Sequence, residues 1–500
     1  MESSTFFEIK AISDKEDPIL LKQVEENHPR FSSLSEPLKQ FIIIKQLHID
    51  SRYKEAIKHL EGYFSSTIPV DFEEYALFLC WIDELISANQ INVLKIKLKE
   101  FEQYFHDFKG SEKEQDYLRC TLLIFKAYLQ VFQGNLIDAK NILLSIKKDL
   151  KKQNFLVEQA QIYNILARIN FSQDKVPEAI SMLEKTRKIY SELSIDKGIA
   201  RTLNNMAVIQ QKNEEYDLAI TSLEESTRIA RKSANYSLIA SNKINLGNIY
   251  SNIGRYHIAK KNYEDALKFF DKKDDLLRIA AICTNLGQLF MRTKKFKEAK
   301  LYLQKAILLF NQLEVDFLQI EPLYISFLIS LDCSNEPKAM EIYSKMMDLW
   351  NKYPQKVDQT YLKLGNLLMV VQFQEKASVT ELLELVLEMF VKNRMKIEFQ
   401  INISSSLIKI IRMRINNNLN SPRILELKPY VSRLTHLANK TPSCFISINK
   451  CLLDCYVTYF ERDHKGLEEK IHELKKLNAK LHLDFVTSEI EILEKSLNLI

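Results

Sequence analysis

Asn205-Met206-Ala207-Val208-Ile209, Asn245-Leu246-Gly247-Asn248-Ile249 and Asn285-Leu286-Gly287-Gln288-Leu289 are one pattern written three times, forty residues apart. Twelve residues after each small residue stands an alanine: Ala219, Ala259 and Ala299. Counting back, Ala167 with Ala179 and Ala127 with Ala139 hold the same two places. A period of this length marks stacked supersecondary units. In the unit around Gly247, Ile244, Leu246, Ile249 and Tyr250 fall at helical spacing, Ile253-Gly254-Arg255 breaks the run, and Ala259, Tyr263, Ala266, Leu267 and Phe270 mark a second helix. Small residues at 247 and 259 let the two helices approach, with Tyr250 and Tyr263 filling the space around them. A single hairpin of this kind cannot bury its own apolar face, so the units must stack.

The residues Leu246, Gly247, Tyr250, Tyr256, Ala259, Tyr263 and Ala266 resemble the tetratricopeptide repeat, and neighbouring units repeat most of them. The forty-residue period resembles the long-helix branch of that family, which includes kinesin light chains, spindle-orientation adaptors that bind G-protein alpha subunits, and bacterial peptide-sensing regulators. The resemblance implies an all-α, right-handed superhelical solenoid of antiparallel hairpins. It also implies a concave groove lined by the first helix of each unit.

Working outward, residues 1–37 read as a polar lead-in with one helix expected over 18–26, and residues 38–110 as degenerate repeats. There Ala56 holds the alanine place in one unit and Ile96 in the next. Residues 106–116 read as a polar loop, 117–378 as the regular array, and 379–500 as divergent hairpins or a cap. Helices are expected there over 380–391, 399–415, 422–439, 444–460 and 465–497. The chain holds only 9 glycines and 11 prolines in 500 residues, which suits nearly continuous helix.

The balance of 70 basic against 65 acidic residues, net +5, demands neither nucleic acid nor membrane. No run of about eighteen apolar residues occurs, so no membrane span is expected. Seven scattered cysteines, an odd count without metal-ligand spacing, suggest reduced thiols, and the first residues lack the features of a signal peptide; both point to a cytoplasmic protein. Cys451 and Cys455 share a helix face and read as buried thiols; a zinc site would need closer pairs and a fourth ligand. His48, His59 and His257 show no acidic or thiol partner in the sequence. No nucleophile–base motif and no phosphate-cradling glycine loop is visible. The chain therefore reads as non-enzymatic, with no cofactor and no metal.

Carried over residue by residue, the resemblance places Asn164, Arg168, Arg201, Asn204, Asn205, Asn245, Asn248, Asn285 and Gln288 in the groove, with Asn252 and Arg292 further along the same helices. A carboxamide offers donor and acceptor together, so a row of them can hold a peptide backbone whatever its side chains. Arginine can hold a carboxylate with two parallel bonds. The lysine and arginine pattern of the chaperone-tail clamp is absent from these places. The sequence thus points to a scaffold or adaptor that binds an extended or helical segment of another protein. The alternatives are a peptide-sensing regulator, and binding of RNA or acidic lipid through the basic residues of 391–440; nucleic acid is the less expected partner, because no aromatics are interleaved with those charges. The oligomeric state is left open by these patterns.

Overall fold

The computed structural model describes residues 2–15, 34–49, 52–65, 67–87, 90–173, 175–213, 215–232, 235–272, 275–373, 444–481 and 484–497. Among them every regular element is helical. The helices expected over 18–26, 380–391, 399–415 and 422–439 and the basic stretch 391–440 lie outside the described residues.

The chain divides into two compact units, Met1–Asn242 and Lys243–Ile500. The first holds α1 (Glu2–Asp14), then the pairs α2 (Glu36–Ile49) with α3 (Tyr53–Tyr63), and α4 (Phe72–Ser87) with α5 (Ile91–Phe105). It continues with α6 (Glu112–Gln133) and α7 (Leu136–Lys152), α8 (Leu156–Ser172) and α9 (Val176–Glu192), and α10 (Asp196–Lys212) and α11 (Tyr216–Lys232). The division falls inside α12 (Tyr236–Asn252). The second unit carries α13 (Tyr256–Lys272), α14 (Leu276–Arg292), α15 (Phe296–Gln312), a 3-10 turn Asp316–Gln319, α16 (Ile320–Asp332), α17 (Glu336–Lys352) and α18 (Thr360–Phe373). Three further helices follow: α19 (Cys444–Phe460), α20 (His464–Leu481) and α21 (Asp484–Leu497).

From α8 through α15 every helix has 17 residues, so one hairpin with its two connections fills the forty-residue period. The connections reverse the chain at residues with left-handed backbone. Between α6 and α17 these are Gly134 (φ 88°), Asn154 (56°), Ser194 (56°), Gly254 (80°), Lys294 (59°), Glu314 (56°) and Ser334 (53°), which fall on a twenty-residue grid. Such a residue just past a helix lets the following N–H groups satisfy the orphan carbonyls of the last turn. Only Gly134 and Gly254 advertise this in the sequence; at the other five sites an ordinary side chain accepts a conformation that glycine adopts more cheaply.

The periodic alanines, including Ala127, Ala139, Ala167, Ala179, Ala207, Ala219, Ala259, Ala299 and Ala339, are all buried. A methyl on Gly247 would meet the Tyr263 ring at 2.5 Å, and one on Gly287 would meet Leu303 Cδ2 at 2.5 Å and the Ala299 carbonyl at 3.5 Å. The small residues are thus where the second helix lays its large side chain on the first. One assignment is corrected. Ile96 is 56% exposed, and the buried place is Leu94, the fourth residue of α5, as Ala179 is the fourth of α9 and Ala219 of α11. The alanine phase therefore stands two residues earlier in that hairpin than a count along the chain suggests.

Residues 1–37 contain an amphipathic helix at 2–14, with Phe6 and Ile9 buried in the same core as Phe41, Phe72 and Tyr117. The polar loop over 106–116 ends at Ser111, whose side chain accepts from the Glu114 N–H while Glu114 accepts from the Ser111 N–H, a reciprocal cap that starts α6.

Candidate functional site

In the first unit, the first helices α2, α4, α8 and α10 bring polar side chains from separate hairpins together. Asn205 on α10 donates from Nδ2 to Asn164 Oδ1 on α8, at 3.0 Å. Both amides are half-buried, so each keeps hydrogen-bonding capacity beyond this bond. Beside them lies a recess of about 220 Å³. Its walls include Ser13 and Asp14 of α1, Lys45 and His48 of α2, Asp83 of α4, Gln161 and Asn164 of α8, Tyr190 of α9, and Gly198, Arg201 and Thr202 of α10. Gly198 is required there: a methyl would come within 2.7 Å of the Tyr190 ring.

Arg201 reaches solvent through the mouth of the recess yet is crowded by protein on its other sides, and this desolvation draws its guanidinium pKa down. Around it both signs of charge are present. Lys45 Nζ lies 3.5 Å from an Asp83 carboxylate oxygen. Burial opposes the Lys45 charge, but Cys80, Asp83 and Glu84 outweigh burial and hold the ammonium well above its ordinary range. Lys10 bridges Asp14 at 2.6 Å and Glu158 at 2.9 Å. Burial raises the Asp14 carboxyl above its ordinary value, with Lys10 opposing and Glu158 adding to the rise.

His48 does have an acidic partner, contrary to the reading of the sequence: its Nδ1 lies 2.7 Å from Glu84 Oε1. The partner is 36 residues away and is met only because α2 and α4 stack. His59 meets Gln40, an amide and not an acid or thiol. His48, Asp83 and Glu84 bring one ligand atom each within 4.8 Å of one another and could hold a metal ion, although Lys45 already places a cation beside Asp83. Cys451 and Cys455 are buried thiols.

The remaining candidates are sorted by what they touch. Asn204 donates to Asn242 Oδ1 at 2.6 Å, and Asn242, fully buried, donates to Ser226 Oγ and Thr227 Oγ1 at 2.9 and 3.0 Å. Asn204, itself half-buried, therefore joins the first helices of consecutive hairpins, α10 and α12. Arg168 is exposed, with its guanidinium 5.9 Å from the Tyr128 ring centroid. In the second unit Asn245 is half-exposed, while Asn248 Oδ1 accepts from both Tyr263 Oη (2.7 Å) and Asn285 Nδ2 (3.0 Å). Asn252, Gln288 and Arg292 are buried, and Arg292 donates to Ser251 Oγ at 2.9 Å. These three offer no surface to a ligand and act in packing, because late positions on a first helix turn toward the next hairpin.

Among the recess residues that the sequence did not reveal are Ser13, Asp14, Lys45, His48, Asp83 and Tyr190. They come from helices far apart in the chain, and no local motif joins them.

Tetratricopeptide-repeat models match residues 158–232, 240–271 and 280–312, so the chain carries tetratricopeptide repeats in those segments. Among solved structures, a Rap protein complexed with competence and sporulation factor aligns over 81% of this chain and 99% of its own, at 15% identity and a TM-score of 0.51. NprR in complex with its cognate peptide NprX covers 72% of this chain and 100% of its own, at 17% identity and a TM-score of 0.48. Aspartyl phosphate phosphatase F from Bacillus subtilis covers 70% and 92%, at 13% identity and 0.47. No curated protein matches. Among the described residues no helix is long and apolar enough to cross a membrane.

Proposed function

We propose that this array of tetratricopeptide repeats is a binding scaffold whose inner face, in the unit Met1–Asn242, holds a segment of another protein or a free peptide. The observation that carries the reading is the half-exposed Asn164–Asn205 amide pair beside the Arg201 recess. A peptide backbone offers alternating donors and acceptors, and the amides can meet either. A carboxylate on the segment would lie against Arg201, and a cationic group against Asp83. The recess is small and polar, so it would take one end or one charged side chain, with the rest of the segment running along the first helices. The Rap protein of similar fold was solved with competence and sporulation factor; that likeness supports the architecture, and the peptide reading rests on the recess.

A displayed library of random twelve-residue peptides, selected on the full-length protein, tests it. Enriched sequences should lose roughly tenfold or more in affinity for an Asn164→Ala/Asn205→Ala/Arg201→Ala variant, since two or three hydrogen bonds of about 0.5–1.5 kcal/mol each are removed. Equal binding to a folded triple variant would overturn the assignment.

A further inference from the structure

Helix α1 lies where such a segment would lie. Phe6 packs edge-on against Phe41 of α2, Phe72 of α4 and Tyr117 of α6, with ring centroids at 5.3, 5.0 and 5.8 Å. Phe7 meets Phe72 and Tyr117 and stacks at 6.1 Å on Phe155, the residue that leads into α8. One turn on, Lys10 pairs with Glu158 of α8 at 2.9 Å. All of these partners sit on or next to the first helices of four consecutive hairpins, and three of those helices, α2, α4 and α8, also help to build the recess. The end of α1, Ser13 and Asp14, forms part of the recess wall.

We propose that α1 is an intramolecular occupant of the partner groove: it covers in cis a wall that fits a short amphipathic helix bearing two adjacent aromatic residues and, one turn later, a lysine, so that a partner segment of that chemistry binds by displacing it. The proposal rests on the groove reading above. Two features suit displacement. A helix of 13 residues is marginal on its own, so its order depends on the wall it covers. Its polar anchor is an ion pair largely removed from solvent, Lys10 with Glu158, which fixes register more than it adds net stability. An element serving only as core would gain more from an apolar side chain at that place.

The probe is a fluorescein-labelled peptide of residues 2–15, titrated by anisotropy against full-length protein. Wild type should bind it weakly, because the covalently attached α1 competes. A full-length Phe6→Ala/Phe7→Ala variant, its own helix weakened, should bind the same peptide at least tenfold more tightly, and a peptide carrying both alanines should not bind. Should that variant lose helicity, full-length Lys10→Glu keeps the aromatic contacts while setting a carboxylate in place of the ammonium against Glu158 and Asp14, and it should show the same gain. No gain in a folded variant of either kind overturns the proposal. The two readings fail separately. Library peptides that depend on Asn164 and Arg201, with no binding of the 2–15 peptide to any opened variant, remove the displaceable α1 alone. Binding of the 2–15 peptide to the opened variants, with no selectable library peptide that depends on Asn164 and Arg201, supports α1 as a displaceable occupant and removes the recess as a peptide site.

Discussion

Gly247→Ala isolates the contact on which the repeat depends. Alanine is the better helix former by about 1 kcal/mol in a helix interior, so with open space around it the change would stabilise the protein. The space is not open. The added methyl would stand 2.5 Å from Cε1, 2.7 Å from Cδ1 and 3.0 Å from Cζ of Tyr263, where carbon atoms prefer about 3.5–4.0 Å. Tyr263 is 2% exposed, and its hydroxyl donates to Asn248 Oδ1 at 2.7 Å, so the ring is tied at its far end and cannot swing away. Overpacking costs roughly 1–3 kcal/mol and a lost hydroxyl bond about 0.5–1.5 kcal/mol. Set against the helix gain, the net is a destabilisation of roughly 0.5–3.5 kcal/mol. Urea unfolding followed by far-ultraviolet circular dichroism reads it as a lowered midpoint. Two controls fix the cause. Gly62→Ala, where a methyl would meet nothing within 4 Å, should raise the midpoint or leave it unchanged. In a Tyr263→Ala background Gly247→Ala should become stabilising, a coupling between neighbours that reverses the sign of its effect. A wild-type or higher midpoint for Gly247→Ala alone would refute the packing argument.

Four further outcomes are expected. Arg292→Met should leave the urea midpoint unchanged or raise it, because Arg292 is buried with Nε and Nη2 unpartnered and an apolar side chain of similar length removes that penalty; a clear loss would show that the Ser251 bond dominates. Asn242→Ala should destabilise by about 1–3 kcal/mol, since Ser226 and Thr227 lose a donor and Asn204 an acceptor inside the core, and a midpoint within error of wild type would count against it. Burial pushes the Cys80 and Cys120 thiols up to about 12 from an ordinary 9.0. A raised folded-state pKa leaves stability intact below the unfolded value, so stability should fall as pH rises from about 9 toward 12. In the native state Cys333, which is exposed, should be alkylated well before Cys80, Cys120 and Cys283, as read by peptide mass spectrometry; prompt modification of the buried thiols would contradict their placement.

The hairpins were legible because their packing repeats: a small residue under Tyr263 or Leu303 recurs at a fixed offset, and so does the buried alanine twelve positions on. Helix α1 was not legible. Its apolar stripe is short, Phe6, Ile9 and the half-buried Phe7 among serine, glutamate and lysine, and it has meaning only against a wall drawn from residues 41 to 158. The charged recess residues share that difficulty, since His48 finds Glu84 and Lys10 finds Glu158 only through stacking. The asparagines were legible by position and not by direction. Asn245 and Asn248 stand about one turn apart on the same helix and are both half-buried, yet it is Asn248 that ties Tyr263 and Asn285 together. The sequence could name the face, but which amide bonds to the neighbouring helices depends on where those helices place Tyr263 and Asn285.

Groove substitutions should therefore act on stability as well as on binding. Asn205 and Asn164 lie on successive first helices and bond to each other, so the pair that would hold a peptide also joins two repeats. In a stacked array stability is a sum over neighbouring interfaces, so weakening this one by about 0.5–1.5 kcal/mol lowers the coupling of α8 to α10 before any ligand arrives. A bound backbone that takes up the remaining donor and acceptor of each amide would strengthen the same junction. Ligand affinity and repeat–repeat coupling are then two readings of one set of bonds. A peptide selected on this face should accordingly raise hydrogen-exchange protection in both α8 and α10, including turns it does not touch. Protection confined to the contacted residues would show that the amide pair binds without coupling the repeats.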